Sequence, residues 1–526
     1  MSDARDTLLR NLFRSHGQFK YGLLLLIGLF FLAMALTPAP KSLVRLVQRE
    51  TPLGYQLSSG TKTITENVSH LLGQQLTPEE VAYKAKVMVA VLFSAAFLWA
   101  TEAIPLGATD LLVAGLLYLF AILPLDSISK AYMKDAVFFI FGVLVLAVGV
   151  SKSGLDRRLA ILMLAKIRNL RDFCFVFYPM LAIAAGFFSE HALIAILIPV
   201  LVSVYRGVCK HYNLKSDKAL AILLLLGVCF ACNQGGPGSP AAGGRNAVMM
   251  GYLRDVGKPI SFAQWMLCGL PYVIVASLAI AAFMYFTLRR KVKTPNVNFS
   301  EFVRREIKSL GPLTREQVTM GIILLTVSVL WLGASRRFGL GGPCIFGVVL
   351  MLAFRIITWA DIQHKVRFEV VGLYAAACAI GIGLKVTGGS LWLAESLVGL
   401  LPVSMRSGNA LVVAIGLFTT GMTNFMSDGA TVAAVGPVAL SMGAVGGVHI
   451  WKMGLICAFS SSFANATIIG TPNNAIAYVG STDAKSGERL LTLKDFLVYG
   501  VPVTLIAFAV LWLWALLGYW RWLPWN

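Results

Sequence analysis

Charge is what this sequence lacks. Asp, Glu, Lys and Arg make up 13% of its 526 residues, against 57% hydrophobic, and its mean hydropathy is +0.75. A soluble globular chain carries about 25% charged residues, so that class is excluded. Acids are scarcer still, with 25 Asp and Glu against 45 Lys and Arg, a formal net charge of +20. The basic residues sit in short loops between apolar runs, which is the positive-inside pattern of membrane proteins. The excess therefore reports orientation and anionic lipid headgroups rather than nucleic acid. Cysteine is sparse, with 8 residues lying mostly in apolar segments. Cys229 and Cys232, spaced CxxC, read as small buried hydrophobes rather than a redox or metal pair. The opening stretch "MSDARDTLLRNLFRSHGQFK" lacks a small-residue cleavage site and reads as a cytoplasmic tail, not a signal peptide. Asn67-Val68-Ser69 fits a glycosylation acceptor, a weak signal on its own.

Long apolar runs are plentiful. They fall at 21–37, 85–104, 106–123, 136–152, 172–205, 217–235, 263–288, 317–335, 342–357, 368–386, 408–445, 451–469 and 494–520. Most match the roughly 20 residues a spanning helix needs. Segments 172–205 and 408–445 are too long for one crossing and hold no polar loop for two. Arg157, Arg158, Lys166, Arg168 and Arg171 precede the first, and Arg206, Lys210, Lys215 and Lys218 follow it. Charge on both flanks puts both ends on the cytoplasmic side, so 172–205 reads as a re-entrant hairpin with its tip near Ser189 and Glu190. The weakly charged flanks of 408–445 (Arg406, Lys452) place a second hairpin on the far side. The expected architecture is an all-α polytopic membrane protein with about eleven transmembrane helices, two re-entrant hairpins and two broken helices. Residues 1–84 hold the tail, a first transmembrane helix and an external polar segment. A first repeat spans 85–288, with hairpin 172–205 and broken helix 217–252. A basic cytoplasmic linker covers 289–316. A second repeat spans 317–526, with hairpin 408–445 and broken helix 451–480. This threading puts the N-terminus in the cytoplasm and the C-terminus outside, although Arg336 and Arg337 then fall in an external loop.

The two halves echo each other. "SEHALIAILIP" and "SDGATVAAVGP" both run Ser, acid, eight residues, Pro: Ser189, Glu190, Pro199 against Ser427, Asp428, Pro437. "GSPAAGGRNAV" (238–248) matches "GTPNNAI" (470–476) through Asn246 and Asn474, and "GVSKSG" (149–154) and "GLKVTG" (383–388) precede the hairpins. With opposite entry sides the repeat is inverted, an arrangement natural to secondary transporters. A broken helix frees N–H groups at one half-helix and carbonyls at the other, which suit anions and cations respectively.

On these segments the chain resembles the divalent anion/sodium symporter family of the ion-transporter superfamily, over most of its length after about residue 85. The resemblance implies a homodimer, a scaffold domain beside a mobile transport domain, elevator-type movement, and uptake or exchange of small anions such as dicarboxylates, citrate or sulfate, usually coupled to sodium. It implies no cofactor beyond Na⁺. The family's Ser-Asn-Thr tip triplets fall on Ser189-Glu190-His191 and Ser427-Asp428-Gly429. Its Thr-Pro-Pro loops fall on Gly243-Gly244-Arg245 and Thr471-Pro472-Asn473. Substrate contacts are thereby expected from Ser189, Glu190, His191, Arg245, Ser427, Asp428, Gly429, Thr471 and Pro472. Ion or proton coupling is expected from Ser189, Glu190, Asn233, Gly235, Asn246, Thr423, Asn424, Ser427, Asp428, Asn465 and Asn474, with Na⁺ at the two tips. The membrane would be the plasma (inner) membrane.

Two carboxylates beside an anion in a low-dielectric site repel it. Four resolutions are open: the acids are protonated, a cation lies between them, His191 or Arg245 neutralises them, or the substrate is not an anion. A coupling role for Glu190 and Asp428, binding a proton or a metal cation, is the favoured reading. The plain alternative is simple pairing of each acid with a base. His191 suits a proton relay or a structural hydrogen bond. Arg245 suits a bidentate anion clamp or a partner for Glu190. Lys152 and Lys385, near helix ends, read as snorkelling. An uncoupled anion exchanger and a proton-coupled carrier of another substrate are the runners-up. A passive channel and an intramembrane hydrolase using Ser189 and His191 are the remaining alternatives, the hydrolase least favoured.

Overall fold

The computed structural model describes residues 20–52, 55, 61–294, 299, 307–308, 310–482, 487, 489–523 and 525. The expected tail at 1–19, and Arg304 and Arg305 of the linker, lie outside them. Among the described residues the secondary structure is helical, with only two isolated bridges, Glu50 to Thr63 and Thr482 to Arg489. Among the described residues nine helices are long and apolar enough to cross a bilayer, or ten if the pair Tyr21–Leu36 and Lys41–Gln48, bent by 60°, forms one span. This is an all-α multi-pass membrane protein.

Helix ends follow local chemistry. Thr63 with Glu66, Thr77 with Glu80, Ser261 with Gln264, Thr314 with Gln317, Thr358 with Asp361 and Thr492 with Asp495 form capping boxes that satisfy the first free N–H groups. The polar stretch after residue 48 is folded, because helix Ile64–Leu72 lays Ile64 and Val68 against Leu43, Leu46, Val81 and Leu391. Asn67 is buried there, at 2% exposure, which corrects the glycosylation reading. The run 106–123 is helical only over Leu106–Leu119, ending at Phe120 and at Ala121 with φ 45°. Lys152 pairs with Asp361 at 2.5 Å. Lys385 bonds the Asp255 carbonyl and does not reach for solvent.

Both long runs break in the middle. The first gives helix Tyr178–Ala185, a turn at 186–189 and helix Glu190–His211; the second gives Gly408–Thr423, a turn at 424–427 and Asp428–Val445. The two apolar segments after them are interrupted as well. Helix Gly227–Gly235 passes through two 3₁₀ turns into Gly244–Asp255, while Ile450–Ser460 passes through a non-helical stretch into Pro472–Gly480. Residues 219–242 are buried without exception, so this membrane-length segment has no lipid face. Helix Arg315–Phe338, with Ile322 59% and Leu325 66% exposed, lies at the periphery.

The breaks are built alike. Asn246 Nδ2 donates to the carbonyls ten and seven residues before it, Gly236 and Ser239 (2.8 Å each). Asn474 Nδ2 donates to those ten and seven before it, Ala464 and Thr467 (2.6 Å each). The hydroxyl at the minus-seven position then reaches the carbonyl three residues before the hairpin serine: Ser239 to Gly186, and Thr467 to Asn424 at 2.8 Å. Each asparagine thus closes carbonyls that the break leaves without helical partners, and each hydroxyl ties a break to a hairpin tip.

Candidate functional site

The hairpin helices start on matching caps. Ser189 Oγ accepts from Ala192 N–H and Ser427 Oγ from Ala430 N–H, both at 3.4 Å. Each cap fixes an acid at the first helical position, Glu190 or Asp428, where the helix dipole favours negative charge. Arg245 occupies the second position of helix Gly244–Asp255, just past the first break. Its Nη1 donates to Glu190 Oε1 at 3.3 Å and also to Asp428 Oδ2. One guanidinium thus joins the tips of both hairpins. The Arg245 and Glu190 side chains are 3% and 4% exposed, and that of Asp428 is 16% exposed.

Glycine makes room for this group. A Cβ at Gly236 would lie 1.9 Å from Arg245 Nη2 and 2.6 Å from Ser462 Oγ. Gly236 belongs to the first break and Ser462 to the second, so the guanidinium lies where both breaks and both hairpins meet. Glu190 Oε2, Arg245 Nε, Gln234 Nε2, Asn246 Oδ1, Ser460 Oγ and Ser462 Oγ, all near this junction in sequence, are buried without a hydrogen-bond partner among the described residues. Of these residues, Glu190 and Arg245 line a cavity where water or a bound solute can satisfy them.

A cavity of about 260 Å³ opens onto the junction. Ser189, Glu190, His191, Arg245, Ser427, Asp428, Gly429 and Pro472, eight of the nine expected substrate contacts, line it. Thr471 is not among the lining residues; its hydroxyl caps the helix by accepting from Asn473 N–H at 3.4 Å. Of the expected coupling residues other than the tips, Asn233, Asn465 and Asn474 bond one another, while Asn246, Thr423, Asn424 and Gly235 contact other groups. Asn233 Nδ2 donates to Asn465 Oδ1 (3.0 Å) and Asn474 Oδ1 (3.2 Å), and Cys229 Sγ also donates to Asn474 Oδ1 (3.1 Å). Asn424 Oδ1 accepts from Ala466 N–H (3.2 Å), and Thr423 Oγ1 donates to the Ser461 carbonyl (2.6 Å). A Cβ on Gly235 would meet the Ala182 carbonyl at 2.4 Å, so that glycine serves helix packing.

Several participants were not among the expected site residues. Asn473 links the tip to the asparagine network, accepting from His191 Nδ1 (2.7 Å) and donating to Asn233 Oδ1 (2.8 Å). Tyr374 wedges between the halves: Cβ atoms on Gly244 and Gly429 would fall 2.2 Å and 2.3 Å from its ring and hydroxyl. Trp99, Glu102 and Arg367 also line the cavity. The hydrolase alternative loses its couple, since Ser189 caps a helix and His191 is turned to Asn473.

Broken apolar helices of membrane length meeting at a shared cavity define a class, the multi-pass transporters with discontinuous helices. More particularly, the chain belongs to the family described as the sodium:sulfate symporter transmembrane region, which matches residues 74–526. It is 25% identical over 464 residues to the sodium-dependent dicarboxylate transporter SdcS of Staphylococcus saprophyticus, covering 82% of this chain and 86% of that one. It is 26% identical over 458 residues to SdcS of Staphylococcus aureus, covering 82% and 85%. In fold it is similar to the YdaH transporter of Alcanivorax borkumensis, with a TM-score of 0.54 at 12% identity over 94% of this chain and 98% of that one. The protein is an integral membrane transporter and not an enzyme.

Proposed function

We propose that this chain is a secondary active carrier of small anions such as dicarboxylates, citrate or sulfate, binding them at the two hairpin tips and coupled there to a cation, Na⁺ or H⁺. One observation carries the reading. Four helix N-termini, at Glu190, Gly244, Asp428 and Pro472, open onto the same cavity, beside the Arg245 guanidinium. Converging helix N-termini present free N–H groups and positive dipole ends, which suit an anion. The cavity is smaller than the roughly 300–1,000 Å³ of sites for drug-sized ligands, which suits a small solute. The sodium-dependent dicarboxylate relatives support the same substrate class.

The matched locks at Asn246 and Asn474 support an internal repeat, inverted if the hairpins enter from opposite faces. A homodimer in the plasma (inner) membrane, N-terminus cytoplasmic and C-terminus external, with elevator-type movement of the hairpins and broken helices, completes the proposal. Counterflow tests it. Purified protein in liposomes preloaded with unlabelled succinate, citrate or sulfate should transiently accumulate the labelled anion above equilibrium. Absence of overshoot for all three, or conduction typical of a pore, defeats the reading.

A further inference from the structure

The geometry points to Arg245 as a tethered cation that stands where a coupling sodium would lie, so that transport by this chain is sodium-independent. This rests on the small-anion reading above.

A sodium ion between the two acids would collect carboxylate and amide oxygens from both tips. That place is filled by the Arg245 guanidinium, donating to Glu190 Oε1 and to Asp428 Oδ2 and lying against Gly236 and Ser462. A second cation there would face a like charge at contact distance in a poorly screened site. Of the amide oxygens that could complete a sodium shell, those of Asn233, Asn465, Asn474 and Asn424 accept from N–H donors of the network, and Asn246 Oδ1 alone has no partner among the described residues. A side-chain cation balances charge as sodium would, but it cannot be released to either compartment and so transmits no sodium gradient.

The test uses wild-type protein in liposomes, with succinate, citrate and sulfate counterflow first establishing which anion is carried. Uptake of that anion is then measured in sodium-free buffer and with an inward sodium gradient at equal pH. Expected is uptake in sodium-free buffer, with no change in rate or accumulation when the sodium gradient is imposed. Counterflow with sodium-driven uptake overturns the inference alone. Loss of counterflow for all three anions overturns the anion reading and this inference with it.

Discussion

Replacing Arg245 with Met should be the most damaging single change in the membrane domain. The guanidinium is the one cation bonded to both Glu190 and Asp428 among the described residues, and its side chain is 3% exposed. Without it, two acids at facing hairpin tips lose their shared partner, in a place that water reaches poorly. Removing one member of a buried ion pair costs about 3–5 kcal/mol, because the other charge stays buried and unbalanced. Replacing a whole buried set by neutral residues of similar volume is often close to neutral. The triple variant Arg245→Met, Glu190→Gln, Asp428→Asn should therefore recover most of what Arg245→Met loses. Glu190→Gln alone should cost little, since Arg245 and Asp428 remain a balanced pair. Reversible unfolding in mixed micelles, titrated with a denaturing detergent, measures all of these on one scale. A cost for Arg245→Met within about 1 kcal/mol of wild type, or a triple variant no more stable than the single, would refute the view that this cation holds the two tips together.

Three further outcomes follow from the same geometry. Ser189→Ala and Ser427→Ala each remove a cap acceptor and should each cost about 1 kcal/mol in the same titration, with Thr at either position retaining most of the stability. Gly236→Ala puts a methyl group 1.9 Å from Arg245 Nη2 and should abolish uptake in liposomes, whereas Gly238→Ala, whose Cβ finds its nearest neighbour at 3.5 Å, should leave uptake standing; equal effects would contradict the close approach at Gly236. Asp361 lies outside the spans, where Lys152, Lys365 and the Thr358 cap hold its carboxyl well below the usual range. A depressed acid adds stability above the unfolded value of about 3.9 and loses it as pH falls through and below that value. The melting difference between wild type and Asp361→Asn should thus be full at neutral pH and vanish on acidification; a difference independent of pH would exclude the ion pairing.

The breaks in the two long runs were legible in the sequence because lipid forbids most alternatives. An apolar run too long for one crossing has to turn, and the Ser-acid start with a proline ten residues on marks where the second helix begins. The asparagines of the two breaks were legible as a pair because each follows a stretch containing Gly and Pro and precedes Ala and an aliphatic residue. What they do was not. Asn233, Asn424, Asn465 and Asn474 read as ion ligands, and the structure turns their amide oxygens toward N–H donors of the breaks and of one another. Arg245 was one of several candidate bases for the acids. Its partners lie 55 and 183 residues away, and no periodicity links them. Tyr374 had no signal at all, since its role rests on two distant glycines, Gly244 and Gly429, both lacking a Cβ that would collide with it.

The match between the two sets of segments ends at the tips. The locks at Asn246 and Asn474 match bond for bond, and so do the caps at Ser189 and Ser427. The charges do not match: one half supplies Glu190, His191 and Arg245, the other only Asp428. The bond from Arg245 to Glu190 is therefore internal to the first half, while the bond to Asp428 crosses between halves. Any motion that parts the two hairpins has to break the second and can keep the first. Asp428 is also the more exposed of the two acids, so it is the partner that water or a solute in the cavity reaches first. On this geometry the crossing ion pair is the contact whose making and breaking separates a closed tip from an open one, and Arg245→Lys, which keeps the charge but loses the planar fork, should weaken substrate affinity more than it weakens the fold. Comparing its Michaelis constant with its unfolding free energy checks this; a fold weakened as much as the affinity would assign Arg245 a purely structural role.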